Sequence, residues 1–153
     1  MDLLTRPATA SDFGAITAIE AEPGAARYLG VLGLDYHERA MADPDQEQII
    51  ASLDGDVIGF VVLAGVARED HRIELRRIAM DRGHRGAGLG RALFRAALTR
   101  AFQQHGARQV WLDVKPDNAV ALALYASEGF VPDGTVPDPT DPGGLLQLLV
   151  LTP

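Results

Sequence analysis

The chain has 153 residues, 47% of them hydrophobic, and no cysteine; a chain of that size buries roughly 70% of its surface around one core, so a single domain over residues 1–153 is expected, and disulfide scaffolds, thiol nucleophiles and thiolate metal sites are excluded. The net charge of −7 disfavours a general nucleic-acid partner, because neutralising phosphates requires a basic face. The opening Met1-Asp2-Leu3-Leu4-Thr5-Arg6-Pro7 lacks the basic start and long apolar core of a signal peptide, and no apolar run reaches membrane-spanning length, so the expectation is a cytoplasmic protein with no membrane partner.

In chain order, Leu3 to Arg6 reads as a strand, and Ser11 can cap a helix whose apolar stripe is Phe13, Ile16 and Ile19. Glu22 to Gly33 is a glycine-bearing connector. A short helix from about Asp35 ends at Ala42, before Pro44, and Gln48 to Leu53 reads as a strand. Asp54-Gly55 then turns the chain into a second strand, Val57 to Val66. Arg72 to Met80 is strand-like, Leu89 to Gln104 helical and Val110 to Val114 strand-like again. Two strands joined by such a crossover should be parallel and right-handed. Asn118 to Glu128 is a further helix, stopped by Gly129. Pro132 to Gly144 reads as a loop rich in proline, glycine and aspartate, and Leu145 to Leu151 closes the sheet as an apolar strand. The fold class is α/β, an antiparallel meander followed by a strand-helix-strand unit in one mixed sheet.

The strand from Ile73 to Met80 is irregular. Its apolar positions are Ile73, Leu75, Ile78 and Met80, so the two-residue alternation slips by one. Two readings fit: a β-bulge near Arg76 and Arg77 that bends the strand away from its parallel neighbour and frees backbone groups for a ligand, or a strand buried on both faces.

Ten arginines lie between Arg68 and Arg108, suggesting a local anion site on an acidic protein. Among them runs Arg82-Gly83-His84-Arg85-Gly86-Ala87-Gly88-Leu89-Gly90-Arg91. Glycines let the backbone approach a bulky anion while amides opening the next helix point at it, and Arg85 and Arg91 could add charge-assisted contacts. That describes a diphosphate cradle, with a plain flexible turn as the alternative. No Gly-Lys-Ser or Gly-Lys-Thr ending marks a nucleoside triphosphatase, and the glycine spacing and downstream acidic residue of a dinucleotide fold are absent.

At this point the chain resembles the GNAT superfamily of N-acetyltransferases. Arg85, Gly88 and Gly90 match its signature of arginine or glutamine, two residues, glycine, one residue, then glycine or alanine. Glu74 to Met80 looks like the fourth strand of such enzymes, and Asp113 to Phe130, with Asn118, Tyr125 and Gly129-Phe130, like their fifth strand and following helix. Gly59 with Phe60 to Leu63, and Arg6-Pro7-Ala8-Thr9 with Asp12, extend the likeness over nearly the whole chain, though it is specific only from Glu74 to Phe130. The resemblance implies a mixed, mostly antiparallel sheet with a splayed parallel pair and flanking helices. It also implies acetyl-CoA as co-substrate, its pantetheine arm along Ile78, Ala79 and Met80 with Asn118, its diphosphate on Arg85, Gly86, Ala87, Gly88, Leu89, Gly90 and Arg91, and direct attack by a primary amine of a small molecule or protein without a metal.

The resemblance makes Tyr125 the candidate proton donor to the leaving thiolate; a tyrosine's usual pKa of about 10 lies within about two units of a thiol's ~8.5. As an aromatic beside Leu122 and Leu124 it could equally be core, and Asn118 could simply cap its helix. Glu74 leads as general base, with His71, His84 and Asp113 as alternatives and an ion pair with an arginine as the structural explanation of Glu74. Acceptor specificity is expected from Tyr28, Tyr36 and His37 and from Asp133, Asp138 and Asp141. A non-catalytic acyl-CoA-binding module remains the alternative, and a homodimer through exposed strands or the final strand is an open expectation.

Overall fold

The computed structural model of the chain describes residues 3–23, 25, 32–85 and 88–153. Seven strands form one sheet, β1 (Leu4–Pro7), β2 (Gln46–Leu53), β3 (Asp56–Ala64), β4 (Arg72–Met80), β5 (Gln109–Val114), β6 (Val131–Pro137) and β7 (Leu145–Leu151), in the order β1-β2-β3-β4-β5-β7-β6. Every neighbouring pair is antiparallel except β4 and β5. The expected mixed sheet with one parallel pair is therefore present.

The meander turns where its residues require it. Asp54 and Gly55 both take positive φ, 51° and 86°, the two-residue hairpin geometry that matches strand twist. Among the described residues the helices with complete ranges are α1 (Phe13–Glu20), α2 (Gly33–Ala42), α3 (Leu89–Thr99) and α4 (Ala119–Ser127). The expected helix to Gln104 runs on from α3 as a π-helical turn, Arg100–Gln104. Two apolar layers sandwich the sheet. One contains Ile73, Leu75, Leu93, Phe94, Leu112 and Tyr125 under α3 and α4; the other contains Ile16, Ile19, Ile50, Phe60 and Val62 under α1.

Two expectations are corrected. Ser11 does not cap the first helix: Asp12 accepts the Thr9 amide at 2.7 Å and both terminal nitrogens of Arg6 at 2.7 and 2.8 Å, so the chain enters α1 through a short 3-10 turn, Ala10–Asp12. Much of the Pro132–Gly144 stretch is strand β6, not loop. Its composition, Val-Pro-Asp-Gly-Thr-Val-Pro, reads as turn, but β6 is an outer strand paired with β7 alone and carries a register shift between Pro132 and Thr135; prolines are tolerated on such edges because the missing amide faces away from the ladder. Strand β7 is accordingly internal, paired with β5 and β6, so an edge-to-edge homodimer has β1 and β6 available and not the final strand.

Candidate active site

The phase slip in β4 is a bulge. Val62 pairs with Arg77 and Leu63 with Leu75, leaving Arg76 as the extra residue. Before the bulge Ile73 and Leu75 face the α3 layer; after it Ala79 joins the α1 layer and Met80 the α3 layer. The parallel ladder to β5 lasts only from Arg72↔Gln109 to Glu74↔Trp111, and beyond it the two strands part. Gly59 of β3 fits this place closely: a Cβ there would lie 2.5 Å from Met80 Sδ and 2.9 Å from the Ala79 carbonyl.

The opening beyond Glu74 holds a cavity of about 500 Å³. Ile78, Ala79 and Met80 line it from β4, Arg85 from the following turn, and Asn118, Leu124 and Tyr125 from α4. Residues far apart in sequence and singled out there are thus brought together. Glu74 is not among them; it lines a separate cavity of about 290 Å³ at the closed end of the wedge.

At the start of α3, Gly88 is the N-cap with φ 77°, a left-handed conformation costly for a side chain. Leu89, Gly90 and Arg91 form the first turn, whose amides have no carbonyl one turn back, at the positive end of the helix dipole. Gly86 and Ala87 lie outside the described residues. Arg85 folds back so that its Nε donates to the Met80 carbonyl at 3.2 Å, with its guanidinium 3.5 Å from Glu22. Arg91 donates to Ser127 Oγ and Glu128 Oε1, both at 2.9 Å, tying α3 to the end of α4. Asn118 Oδ1 accepts the Ala121 amide at 3.3 Å, so it caps α4 while facing the cavity.

Tyr125 is buried, its ring 5.2 Å from Phe94 and 6.0 Å from Phe130. Burial, and then the charge of Asp113, push its phenol up to about 12. Asp113 is itself pushed up, first by desolvation and then by Glu74 and Asp138, although the residue is exposed. It makes no ion pair among the described residues, whereas Glu74 Oε1 accepts Nε and a terminal nitrogen of Arg76 at 2.9 and 2.7 Å. The charge of Glu74 thus contributes to the rise of Asp113, and that of Asp113 to the rise of Tyr125. Of the alternative bases, His71 is exposed at the far end of β4, with φ 56°. His84 lies on the turn after β4, 3.8 Å from Asp81.

The expected role of His37 in meeting an acceptor is corrected, because the residue is wholly buried. Its Nε2 donates to Glu20 Oε2 at 2.9 Å and its Nδ1 accepts from Gln48 at 3.1 Å. Glu20 also accepts the amides of Leu32 and Gly33 at 2.8 and 3.1 Å and lies 3.1 Å from Arg77. Burial alone would push the Glu20 carboxyl up; the hydrogen bonds of His37, Gly33 and Leu32 and the Arg77 charge outweigh it and hold it below the usual range. This network fastens α1 and α2 to β4 at the bulge. Sequence reasoning missed it, although the slip that turns Arg77 onto a buried face was a signal. Asp138 is buried too, accepting from the Thr140 hydroxyl at 2.7 Å with Lys115 at 3.6 Å, while Asp133 and Asp141 are exposed. Tyr28 lies outside the described residues.

A model of the acetyltransferase (GNAT) family matches residues 15–130. The streptothricin acetyltransferase of Streptomyces lavendulae is 37% identical over 89 residues, 58% of this chain and 46% of that protein. The N-acetylaspartate synthetase of Xenopus tropicalis is 35% identical over 115 residues, 75% of this chain and 42% of that protein. The chain thus spans about half the length of these relatives. Among solved structures, spermidine N-acetyltransferase from Vibrio cholerae, in complex with CoA and spermine, superposes with a TM-score of 0.85 at 20% identity, over 98% of this chain and 95% of that one.

Proposed function

Because the chain belongs to the GNAT acetyltransferase family, we propose that it is an N-acetyltransferase moving the acetyl group of acetyl-CoA to a primary amine of a small molecule or protein by direct attack, with residues 1–153 acting as one transferase unit in the cytoplasm. The observation that carries this reading is the wedge between β4 and β5, with its cavity lined by Ile78, Ala79, Met80, Asn118 and Tyr125. The residues present fit acetyl-CoA. The apolar wall of Ile78 and Met80 suits a pantetheine arm. The open backbone at Gly88 and Gly90, where a Cβ would meet nothing nearer than Met80 at 3.9 Å, leaves room for a diphosphate against the first-turn amides of α3. Arg85 lies within reach of the same cavity. When bound, acetyl-CoA supplies the activated acyl group.

In this reading Glu74 and Asp113 act as a carboxylate pair. Arg76 holds Glu74 through two hydrogen bonds, and Asp113, raised first by desolvation and then by Glu74 and Asp138, takes the proton from the attacking amine. Tyr125 returns a proton to the departing thiolate. Its raised value keeps it protonated but makes it a poor acid, and that difficulty has a local remedy. Burial is the larger cause of the rise and the charge of Asp113 the smaller, so when Asp113 accepts the amine's proton the smaller part of the rise disappears and Tyr125 becomes a stronger acid than before. Uptake of one proton then assists release of the other.

The acceptor is narrowed by chemistry alone, since the relatives' names specify streptothricin, N-acetylaspartate and spermidine. The test is release of free thiol from acetyl-CoA across a panel of polyamines, antibiotics, amino acids and N-terminal peptides. Amine-dependent release is expected. Tight CoA binding with no release across the panel would mark the chain as a non-catalytic acyl-CoA-binding module.

A further inference from the structure

Two carboxylates at the end of α1 have different partners. Glu20 is buried with His37 and Arg77. Glu22, just past the helix, is held in place by its own amide, which donates to the Ile19 carbonyl at 3.2 Å, and its side chain reaches the turn that follows β4. There a single oxygen, Oε2, accepts the Arg82 amide at 2.8 Å and lies 3.5 Å from a terminal nitrogen of Arg85. These partners are 60 and 63 positions away in the chain, so the contact is made by packing and not by sequence proximity.

A backbone amide and a guanidinium are the donors that a phosphate oxygen takes from a cradle of this kind. Glu22 therefore presents to Arg85 what the diphosphate of CoA would present. Its two contacts differ in strength. The amide bond is short and fixes the carboxylate on the turn. The arginine contact is at the long limit of a hydrogen bond, between side chains 40% exposed at Arg85 and 24% at Glu22, and such a pair is weak. Arg85 also lines the donor cavity, as does Ala25, three residues beyond Glu22. Arg85 can thus exchange a single distant carboxylate oxygen for a more highly charged diphosphate.

We propose that Glu22 is an internal competitor of the donor's diphosphate for Arg85, which weakens the binding of acetyl-CoA and of the product CoA alike and so sets how readily the product leaves. This rests on the transferase reading. A site whose binding-competent form is only part of the population has its affinity reduced by that fraction, and the contact of Glu22 with Arg85 lowers the fraction. Acyl transfer leaves the diphosphate unchanged, so the carboxylate that yields to acetyl-CoA is the one that returns to Arg85 as CoA departs.

Glu22→Gln keeps a side-chain oxygen for the Arg82 amide and removes the charge facing Arg85. By calorimetry CoA should bind this protein about three- to fivefold more tightly than the parent, the scale of a partly exposed ion pair, and the inhibition constant of product CoA in thiol release should fall by a similar factor. In an Arg85→Gln background the same change at Glu22 should leave CoA affinity nearly unaltered, because the competition has lost its object. Unchanged or weaker CoA binding to a Glu22→Gln protein that folds like the parent by circular dichroism would overturn the competition; amine-dependent thiol release from that protein would leave the transferase reading standing. Tightening of equal size in the Arg85→Gln background would also overturn it, since the effect would then be one of net charge. Tighter CoA binding that depends on Arg85, with no thiol release from any amine, would uphold the competition in a protein that only binds acyl-CoA. Failure of CoA to bind parent and variant alike would sink both readings.

Discussion

Along the opening of the wedge, the candidate cofactor residues are placed by the course of the backbone: a bulge at Arg76, the parting of β4 from β5 after Glu74, a left-handed Gly88 and the first turn of α3. Beneath α1 and α2, the opposite face of the sheet is held by buried charge, with Glu20 joined to His37 and Arg77, and His37 to Gln48, between elements distant in sequence. A backbone-built site offers the same groups to any anion of the right shape, and it tolerates side-chain change. A site edge fixed by one shared carboxylate has no such tolerance. In the proposed reading the first region holds the donor, while the second fixes α1 and α2 beside it.

The largest effect should come from breaking the buried network. Glu20→Leu removes the acceptor shared by Leu32, Gly33, His37 and Arg77, and loss of one partner from a buried charged cluster costs about 3–5 kcal/mol. A fall in Tm of more than about 6 °C is expected for a chain of this size, with CoA affinity measured well below that Tm within a few-fold of the parent. Loss of CoA binding in a folded Glu20→Leu protein would show that the two regions are not separable in this way.

Tyr125→Phe keeps the ring against Phe94 and Phe130 and removes only the hydroxyl. Turnover should fall by about 100-fold, with acetyl-CoA affinity little changed. Parental turnover would make Tyr125 a packing residue alone. A smaller effect is expected at Asp113. Its folded value is raised above that of an ordinary carboxylate, so kcat/KM should climb with pH through that raised value as the carboxylate becomes able to accept a proton. Asp113→Asn should lower activity by about tenfold near neutral pH and flatten that acidic limb, since the amine must lose its proton elsewhere. An unchanged pH profile would remove Asp113 from the proton path.

The same contrast explains what could be read from the residues. The glycines at 88 and 90, the slipped alternation between Leu75 and Ile78, and the capping position of Asn118 are local patterns with local causes, and each corresponds to an observed feature of the wedge. Glu20 and His37 are 17 positions apart, with Arg77 farther still; their meeting depends on packing α1 and α2 over the bulge, which no periodicity encodes. Strand β6 was hidden for another reason. Its prolines and glycine belong to turn chemistry, and only its position at the edge of the sheet makes them acceptable in a strand. The burial of His37 follows from both effects, since a histidine on a short polar helix gives no sign of the partners waiting beneath it.

The central claim, that acetyl-CoA is held by the backbone at the start of α3, is tested most directly at Gly90. A Cβ there would touch Met80 Cγ at 3.9 Å, an ordinary contact, and Gly90 has no need of positive φ, so Gly90→Val should fold like the parent by circular dichroism. The branched side chain would instead stand where a phosphate oxygen must come within about 3 Å of a first-turn amide. Calorimetric titration of CoA should therefore show no measurable binding to the folded Gly90→Val protein and clear saturation of the parent. Equal affinity for both would contradict the cradle, and with it the placement of the donor in the wedge.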